Sequence, residues 1–263
     1  MMAFSAKEVM PGVFHIQDCM GVCMTLLTGS ERALLIDTGY GLENVAAFVR
    51  TLTELPLTVV LTHGHHDHML GACWFPKTLM FAQDQEDFVR YSSCEQRERV
   101  LASARQKGIV VDEAAYLKRD IPMPEALQEE TIDLGGLTVK VMLCPGHTPG
   151  SAVAYVPEHR LLLSGDDWNP CTWLFFPAAL GMREYRANLL ALMQLPFEYV
   201  LCSHQPVLFP RERMAGFAGH LTDENLRAAP AVDIPPYEAI DTHQADMGDG
   251  QIFVFDWQKA GME

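Results

Sequence analysis

The protein is a chain of 263 residues, 49% of them apolar, with a formal net charge of −15. This apolar fraction allows a sizeable buried core, and no stretch comes near the roughly 18 uninterrupted apolar residues that a membrane helix needs. The negative charge disfavours nucleic acid as a partner, because affinity for nucleic acid comes largely from basic groups that meet phosphates. Seven scattered cysteines, and an N-terminus without a secretory signal pattern, predict a cytoplasmic protein with reduced thiols.

The first 60 residues predict a strand-rich start followed by a helix. Short apolar runs separated by Gly, Ser and Asp predict strands at 13–16, 23–28 and 33–36. Residues 43–52 repeat their apolar side chains at helical spacing. A β-branched run at 57–61 then predicts a buried strand that ends at a group of histidines. Strand, helix and strand in succession favour an α/β architecture.

The stretch 84–130 is charged and favours helix, with helices predicted at 85–91 and 95–107. We interpret it as a helical insertion, because its length is marginal for a core of its own. It could be a lid over the active site or a contact in a homodimer, and both alternatives stay open. We therefore expect one domain over 1–263, with 206–263 as a C-terminal extension.

The second half of the chain returns to β-structure. Strands are predicted at 131–134, 137–143, 152–156, 161–164, 199–202 and 251–256, and an amphipathic helix at 183–193. The strands at 161–164 and 199–202 end directly before Asp166 and His204, and the run at 137–143 leads to His147. Loops at strand ends are where α/β folds place their sites.

A group of ligand-type side chains follows the strand at 57–61. His63 and His65 are two residues apart, so in an extended segment both side chains point the same way. A pair so placed can bind one metal through imidazole nitrogens. Asp67 and His68 follow where the chain turns away, and they can reach a second metal. We expect the other five histidines, His66 among them, at structural or surface positions.

The segment 62–68, Thr-His-Gly-His-His-Asp-His, resembles the His-x-His-x-Asp-His signature of the metallo-β-lactamase-fold hydrolases. Further motifs are similar to those of this family and occur in its order. They are Asp-Thr-Gly at 37–39, Cys-Pro-Gly-His-Thr-Pro-Gly-Ser at 144–151, Leu-Leu-Leu-Ser-Gly-Asp at 161–166 and Ser-His at 203–204. The resemblance covers roughly residues 13–205. It implies an α/β (α+β) fold, a four-layer αββα sandwich of two mixed sheets.

The resemblance also implies a ligand set for two divalent metal ions. The first ion would take His63, His65 and His147, and the second Asp67, His68 and His204, with Asp166 bridging both. Asp37 would support the histidine loop from behind. Zinc is the first choice, and iron or manganese are alternatives, because imidazole and carboxylate sites accept them too. A hydroxide held by the ions would attack the substrate, and Asp67 would orient it and move a proton to the leaving group.

The segment 167–177 is unusually aromatic for a loop that leaves a metal ligand. Its aromatic side chains either line an apolar cleft or pack the helical insertion onto the sandwich. As candidate substrate contacts we take Trp168, Trp173 and Phe176, together with Tyr40, which is as readily explained as a loop tyrosine. A cleft of this kind would favour a small-molecule substrate with an apolar or acyl portion.

The family cleaves thioesters, lactones, β-lactams, phosphodiesters and sulfate esters, so the ligand set alone does not name a substrate. A β-lactamase is disfavoured, because Asp166 stands where one class of these enzymes has Cys. We expect a dinuclear hydrolase of a small ester-like bond, with a thioester or lactone first, similar to glyoxalase-II-like thioesterases and acyl-homoserine lactone lactonases. The alternatives are an iron-dependent persulfide dioxygenase, a phosphodiesterase and a non-catalytic metal-bound sensing module.

Overall fold

The computed structural model describes residues 4–261. Its first sheet has seven strands, which follow one another in the sheet as they do in the chain. The strands are β1 (Ser5–Met10), β2 (Val13–Gln17), β3 (Cys23–Thr28), β4 (Ala33–Ile36), β5 (Leu57–Val60), β6 (Leu79–Phe81) and β7 (Glu125–Leu127). Neighbours from β1 to β4 are antiparallel, and neighbours from β4 to β7 are parallel. The sheet is therefore mixed.

Two further sheets are built from the rest of the chain. The strands of these two sheets are β8 (Glu130–Asp133), β9 (Thr138–Leu143), β10 (Ala152–Val156), β11 (Leu161–Leu163), β12 (Cys171–Leu174), β13 (Tyr199–Leu201), β14 (Phe209–Pro210), β15 (Thr242–Asp246) and β16 (Ile252–Asp256). The second sheet has the order β14-β13-β11-β10-β9-β8, and the third the order β12-β16-β15. In the second sheet only β11 and β13 are parallel neighbours. The third sheet was not predicted, apart from its strand β16.

Nine α-helices connect the strands of the described residues. They are α1 (Val45–Val49), α2 (His66–Met69), α3 (Gln85–Tyr91), α4 (Cys94–Gln106), α5 (Glu113–Lys118), α6 (Met182–Leu192), α7 (Arg211–His220), α8 (Asp223–Arg227) and α9 (Trp257–Ala260). Within residues 4–261, no helix has both the length and the apolar character that crossing a membrane requires.

The two large sheets face each other across an apolar layer. Leu34 and Val60 from the first sheet meet Val139, Leu163 and Leu201 from the second, all of them buried. Burial of each such side chain stabilises the fold by about 1.5–3 kcal/mol relative to exposure. Helices cover the outer faces, α1 on the first sheet and α6 and α7 on the second. The predicted αββα sandwich of two mixed sheets is confirmed.

The stretch 84–130 is only partly helical. Helices α3 and α4 lie where they were predicted, and α5 follows them. The stretch ends in β7, which pairs in parallel with β6 and completes the edge of the first sheet. A purely helical insertion was therefore too simple a description. Phe88 and Tyr91 of α3 pack with Leu61 and Met69, so this stretch lies directly against the histidine loop.

Candidate metal centre

The seven predicted metal ligands converge at one edge of the sandwich. The segment after β5, which includes α2, carries four of them, and the loops after β9, β11 and β13 carry one each. Both large sheets therefore contribute to the centre. The side chains form three overlapping groups whose ligand atoms lie within 4.8 Å of one another: His63, His65 and His147; His63, His68 and Asp166; Asp67, His68 and His204.

Asp166 lies between the two halves of the cluster. Its Oδ2 atom is 2.9 Å from Nε2 of His204, 3.4 Å from Nε2 of His68 and 3.7 Å from Nε2 of His147. On the other side, Nε2 of His147 is 3.0 Å from Nδ1 of His65. The carboxylate is thus within reach of both sets of imidazoles.

Several buried atoms of this cluster have no hydrogen-bond partner among the described residues. They include Nε2 of His63, Nε2 of His68 and Oδ1 of Asp166. Burying polar atoms without a partner costs free energy, and buried charges are usually paired or bound to metals. Imidazole nitrogens with carboxylate oxygens are ligands that divalent transition metals accept. The residues present therefore fit a divalent metal ion.

Asp37 orients two of the histidines from the side away from the centre, His68 directly and His63 through the hydroxyl of Thr62. Nδ1 of His68 donates to Oδ2 of Asp37 at 2.9 Å. Asp37 also accepts from the backbone N–H of Thr62 at 2.7 Å and from its hydroxyl at 2.8 Å, and that hydroxyl lies 3.0 Å from Nδ1 of His63. Bonds at Nδ1 leave Nε2 facing the centre, which is how buried carboxylates orient metal-binding histidines.

His147 is oriented by the loop that follows Asp166. Its Nδ1 donates to the backbone carbonyl of Trp173 at 2.8 Å, which leaves Nε2 facing the other ligands. The backbone N–H of His147 donates to the buried carboxylate of Asp167 at 3.1 Å. The aromatic segment 167–177 thus supports a predicted metal ligand through its backbone as well as lining the cavity with Trp173 and Phe176.

The electrostatic environment differs between the two halves of the cluster. Burial, reinforced by neighbouring imidazoles, holds the pKa of His63 and of His65 well below its usual value. Burial also lowers the pKa of His147. For His68 and His204, burial acts in the same direction, but Asp166 and Asp67 outweigh it and raise the pKa. The first group therefore presents neutral imidazoles, and the second presents imidazoles paired with carboxylates.

Asp84 connects two of the ligand loops and was missed by the sequence analysis. Its Oδ2 accepts from the backbone N–H of Gly64 at 2.9 Å and from the hydroxyl of Thr148 at 2.7 Å, and its Oδ1 accepts from the backbone N–H of Gly150. Both positions require glycine, because neighbouring atoms approach the backbone closely. A Cβ at Gly64 would lie 2.7 Å from the backbone nitrogen of Phe88, and a Cβ at Gly150 would lie 2.6 Å from Oδ1 of Asp84. In the sequence, Asp84 is one acidic residue at the start of a charged helical stretch.

Asp87 was also missed. It is buried, and its Oδ2 lies 3.9 Å from Nε2 of His65. Neither atom has a hydrogen-bond partner among the described residues. The separation exceeds hydrogen-bond length, but it places a buried carboxylate behind the ring of a predicted metal ligand.

A cavity of about 250 Å³ opens beside the ligands. It is lined by His65, His147, Asp166, Asn169, Cys171, Trp173, Phe176, His204 and Gln205. Phe176 covers the first ligand group, with its ring centre 4.7 Å from that of His65 and 5.3 Å from that of His147. A larger groove of about 390 Å³, whose lining includes Arg32, Leu57 and Lys77, contains none of the seven ligands.

Two of the four candidate substrate contacts lie elsewhere. Trp168 is fully buried in the apolar cluster on the helix side of the second sheet, with its ring edge-on to Phe209 at 5.6 Å. This placement corrects the expectation for Trp168, because a side chain inside the core cannot line the cleft. Tyr40 lies outside the cavity lining and packs 5.5 Å from the ring of His66.

Comparison with known proteins agrees with this architecture. The sequence model of the Metallo-beta-lactamase superfamily matches residues 18–204. The acyl-coenzyme A thioesterase MBLAC2 of Gallus gallus is 27% identical over 215 residues, which are 73% of this chain and 76% of that protein. A hydroxyacylglutathione hydrolase of Acidiphilium cryptum is 29% identical over 178 residues, 65% of this chain and 58% of that protein.

A solved structure gives the same result for the fold. The metallo-beta-lactamase family protein of Thermus thermophilus superposes with a TM-score of 0.60 at 20% identity, over 84% of this chain and 82% of that one. The family match spans residues 18–204, more than half of the chain, and contains every one of the seven converging ligands. The protein is a member of the Metallo-beta-lactamase superfamily.

Proposed function

We propose that the protein is a hydrolase that binds two divalent metal ions and cleaves a small thioester, with zinc as the first choice of metal. The observation that carries this proposal is the pair of three-residue ligand groups joined at Asp166, with unpaired buried atoms facing the space between them. His63, His65 and His147 would hold one ion, and Asp67, His68 and His204 the other. Bound ions of this kind supply Lewis acidity and lower the pKa of bound water enough to give hydroxide near neutral pH.

Asp67 is the residue to which we assign proton handling. Its Oδ2 lies 3.6 Å from Nε2 of His68 and 3.7 Å from Nε2 of His204. Burial opposes ionisation of Asp67, but these imidazoles and that of His66 outweigh it and lower the pKa of the carboxyl group. Asp67 is therefore an anion that can orient an attacking water molecule and carry its proton to the departing thiolate.

The cavity supports a substrate with an acyl portion. Trp173 and Phe176 give it an apolar wall beside the ligands, and its volume is below the range typical of sites that enclose a drug-sized ligand. Only the reacting end of a substrate would therefore be enclosed. Relatives named for acyl-coenzyme A and hydroxyacylglutathione favour a thioester over a lactone. A homodimer, a single domain over 1–263 and a cytoplasmic location stay predictions from the sequence.

Metal analysis and a substrate panel test the proposal. The protein would be loaded with zinc, iron or manganese and assayed with butyryl-coenzyme A, S-lactoylglutathione, a lactone, bis(p-nitrophenyl) phosphate and a penicillin. We expect about two metal ions per chain and hydrolysis of a thioester. His147→Ala should remove one of the two ions and abolish hydrolysis, whereas His159→Ala, at a half-buried histidine bonded to the Pro11 carbonyl, should leave metal content and hydrolysis unchanged.

Three results would contradict the proposal. Turnover of the phosphodiester alone would replace a thioesterase with a phosphodiesterase. One iron per chain with oxygen uptake on glutathione persulfide would indicate a dioxygenase instead. The complete second group of Asp67, His68 and His204 favours the hydrolase with two ions over a dioxygenase with one iron. Metal binding without turnover of any ester would indicate a non-catalytic metal-bound sensing module.

A further inference from the structure

The cavity contains a buried polar group that the proposed reaction does not yet use, the side-chain amide of Asn169. Asn169 is only 4% exposed, and it lines the cavity together with Asp166, His204 and His147. It lies three residues after Asp166, in the loop that leads from β11 to β12. The amide thus belongs to the same small space as the ligands.

Three hydrogen bonds fix the orientation of Asn169. The backbone N–H of Cys171 donates to Oδ1 at 2.7 Å. The hydroxyl of Thr172 donates to the backbone carbonyl of Asn169 at 2.7 Å and accepts from its backbone N–H at 3.1 Å. Because a backbone N–H needs an acceptor, the bond from Cys171 identifies the amide oxygen and leaves the NH₂ group to point elsewhere.

The Nδ2 donor has no hydrogen-bond partner among residues 4–261, although every other polar group of Asn169 is bonded. Nδ2 is not one of the fully buried side-chain atoms that lack a partner, so it reaches the cavity that Asn169 lines, where water or a ligand can accept its hydrogen bond. Trp173 and Phe176, in the same lining, offer no strong acceptor, and no hydrogen bond of the described residues joins Nδ2 to the side chains of Asp166 or Gln205 that share it. The amide is therefore held in place for an acceptor that enters the cavity from outside.

We infer that Nδ2 of Asn169 donates a hydrogen bond to the carbonyl oxygen of the thioester. This inference rests on the proposed function. The cavity holds about 250 Å³ and its lining includes four of the metal ligands, so an acceptor oxygen inside it lies close to the carbon under attack. As hydroxide adds to that carbon, the oxygen becomes negative. A fixed donor then stabilises it more strongly than it stabilised the carbonyl.

Asn169→Asp is the sharpest variant, because the carboxylate keeps an acceptor for Cys171 and removes the donor. Asn169→Leu removes the donor without adding charge. With zinc-loaded protein and butyryl-coenzyme A, we expect both variants to lower kcat at least ~10²-fold, the scale for loss of one oxyanion donor. Metal content and Tm should stay close to wild type. Asn44→Asp makes the same chemical change at a helix cap that accepts from the backbone N–H of Ala47. This control should leave kcat and metal content unchanged.

A binding experiment separates recognition of the carbonyl from cavity shape. S-(2-oxopentyl)-coenzyme A carries a carbonyl, and S-pentyl-coenzyme A is its matched partner without one. We expect Asn169→Asp to weaken binding of the first about tenfold, the scale of one hydrogen bond, and to leave binding of the second unchanged. Equal loss for both compounds would overturn the inference, because it would show a purely steric role.

The two proposals fail in distinguishable ways. If the wild-type protein loads metal and hydrolyses no thioester, the proposed function fails and the role of Asn169 fails with it. If the wild-type protein hydrolyses the thioester and both Asn169 variants retain its rate, only the inference about Asn169 is wrong. Loss of metal from the variants would also overturn it, since Asn169 would then support the ligands and not the substrate.

Discussion

Nδ1 of His68 lies 2.9 Å from Oδ2 of Asp37, and both side chains are almost completely buried. The carboxylate sits behind a predicted metal ligand and at the same time accepts both donors of Thr62. Asp37 adopts a left-handed backbone conformation with φ of 66°, which Asp and Asn tolerate better than other non-glycine residues. The contact therefore depends on the residue type at this turn.

Asp37→Asn should weaken metal binding without disturbing the turn. Asn keeps the size and the backbone conformation of Asp37, but it removes the negative charge that orients His68. Loss of such a supporting carboxylate typically costs about 10–100-fold in metal affinity. Competition with a chromophoric chelator measures this change. Asp133→Asn, in an exposed turn where the side chain accepts from Gly135, is the matched control, and equal affinity in both variants would contradict the role of Asp37.

Metal binding to the second ligand group should release more protons than binding to the first. Asp166 and Asp67 raise the pKa of His68 and of His204, so a cation must displace protons from them, and its affinity should rise with pH through the neutral range. Calorimetric titration with zinc at pH 7 in two buffers of different ionisation enthalpy measures proton release. His204→Ala should bind one ion and release fewer protons per ion; equal release in variant and wild type would contradict the assignment.

Asp67→Asn should lower kcat by at least ~10², the scale typical of losing a positioned acid or base. The amide can neither accept the proton of the attacking water nor carry it to the leaving thiolate. Steady-state kinetics of thioester hydrolysis, with metal content measured on the same sample, checks this. A variant that holds wild-type metal and keeps nearly the full rate would show that Asp67 serves only as a ligand.

Trp168 and Phe176 should give opposite phenotypes although they lie only eight positions apart, on either side of β12. Trp168 is fully buried, so Trp168→Ala should lower the free energy of unfolding by about 3–5 kcal/mol, as measured by urea denaturation. Phe176 is half-buried at the cavity, so Phe176→Ala should chiefly raise KM for acyl thioesters, more for longer chains. A shift of chain-length preference in a Trp168→Phe protein of normal stability would contradict this division.

Asp84 should make stability depend on pH. Burial raises the pKa of its carboxyl group from 3.8 to about 6, while bonds from Thr148, Gly64 and Gly150 act against the rise. The folded protein therefore holds a proton that the unfolded chain has lost between these values, so this contribution is full below about pH 4 and is lost as pH rises through 6. Chemical denaturation in chelator across this range should show the decline in wild type and not in Asp84→Asn. Parallel curves for the two proteins would contradict it.

The candidate ligand set came from the resemblance to the family's motifs, and its residues could be placed because several of them stand at strand ends. His63 follows β5, Asp166 follows β11 and His204 follows β13, and each of these strands is a short apolar run that periodicity identifies. Local patterns specify such elements with little help from the rest of the chain. Order along the sequence then sufficed to place the motifs, and the structure brings the same residues together.

Other features depend on pairings that no local pattern contains. Strand β12 was not predicted because its partner β16 lies about 80 residues later, with Cys171 opposite Ile252. Asp84 looks like an ordinary acidic residue of a helical stretch until the fold brings it against Gly64 and Gly150. Trp168 and Phe176 flank the short strand β12, and only the packing of the second sheet decides which of the two is buried in the core.

The apolar layer between the two large sheets has a consequence for how such a protein could be altered. Four of the seven predicted ligands extend from the first sheet and three from the second, so the thickness of that layer sets the distance between these two sets of side chains. Protein interiors are close-packed, so a core substitution that changes the side-chain volume by even one methylene group affects the surrounding packing. We therefore expect Leu163→Val or Val139→Ile, neither a predicted ligand, to change the preferred metal or substrate, which makes the sandwich interior a place to search for altered activities.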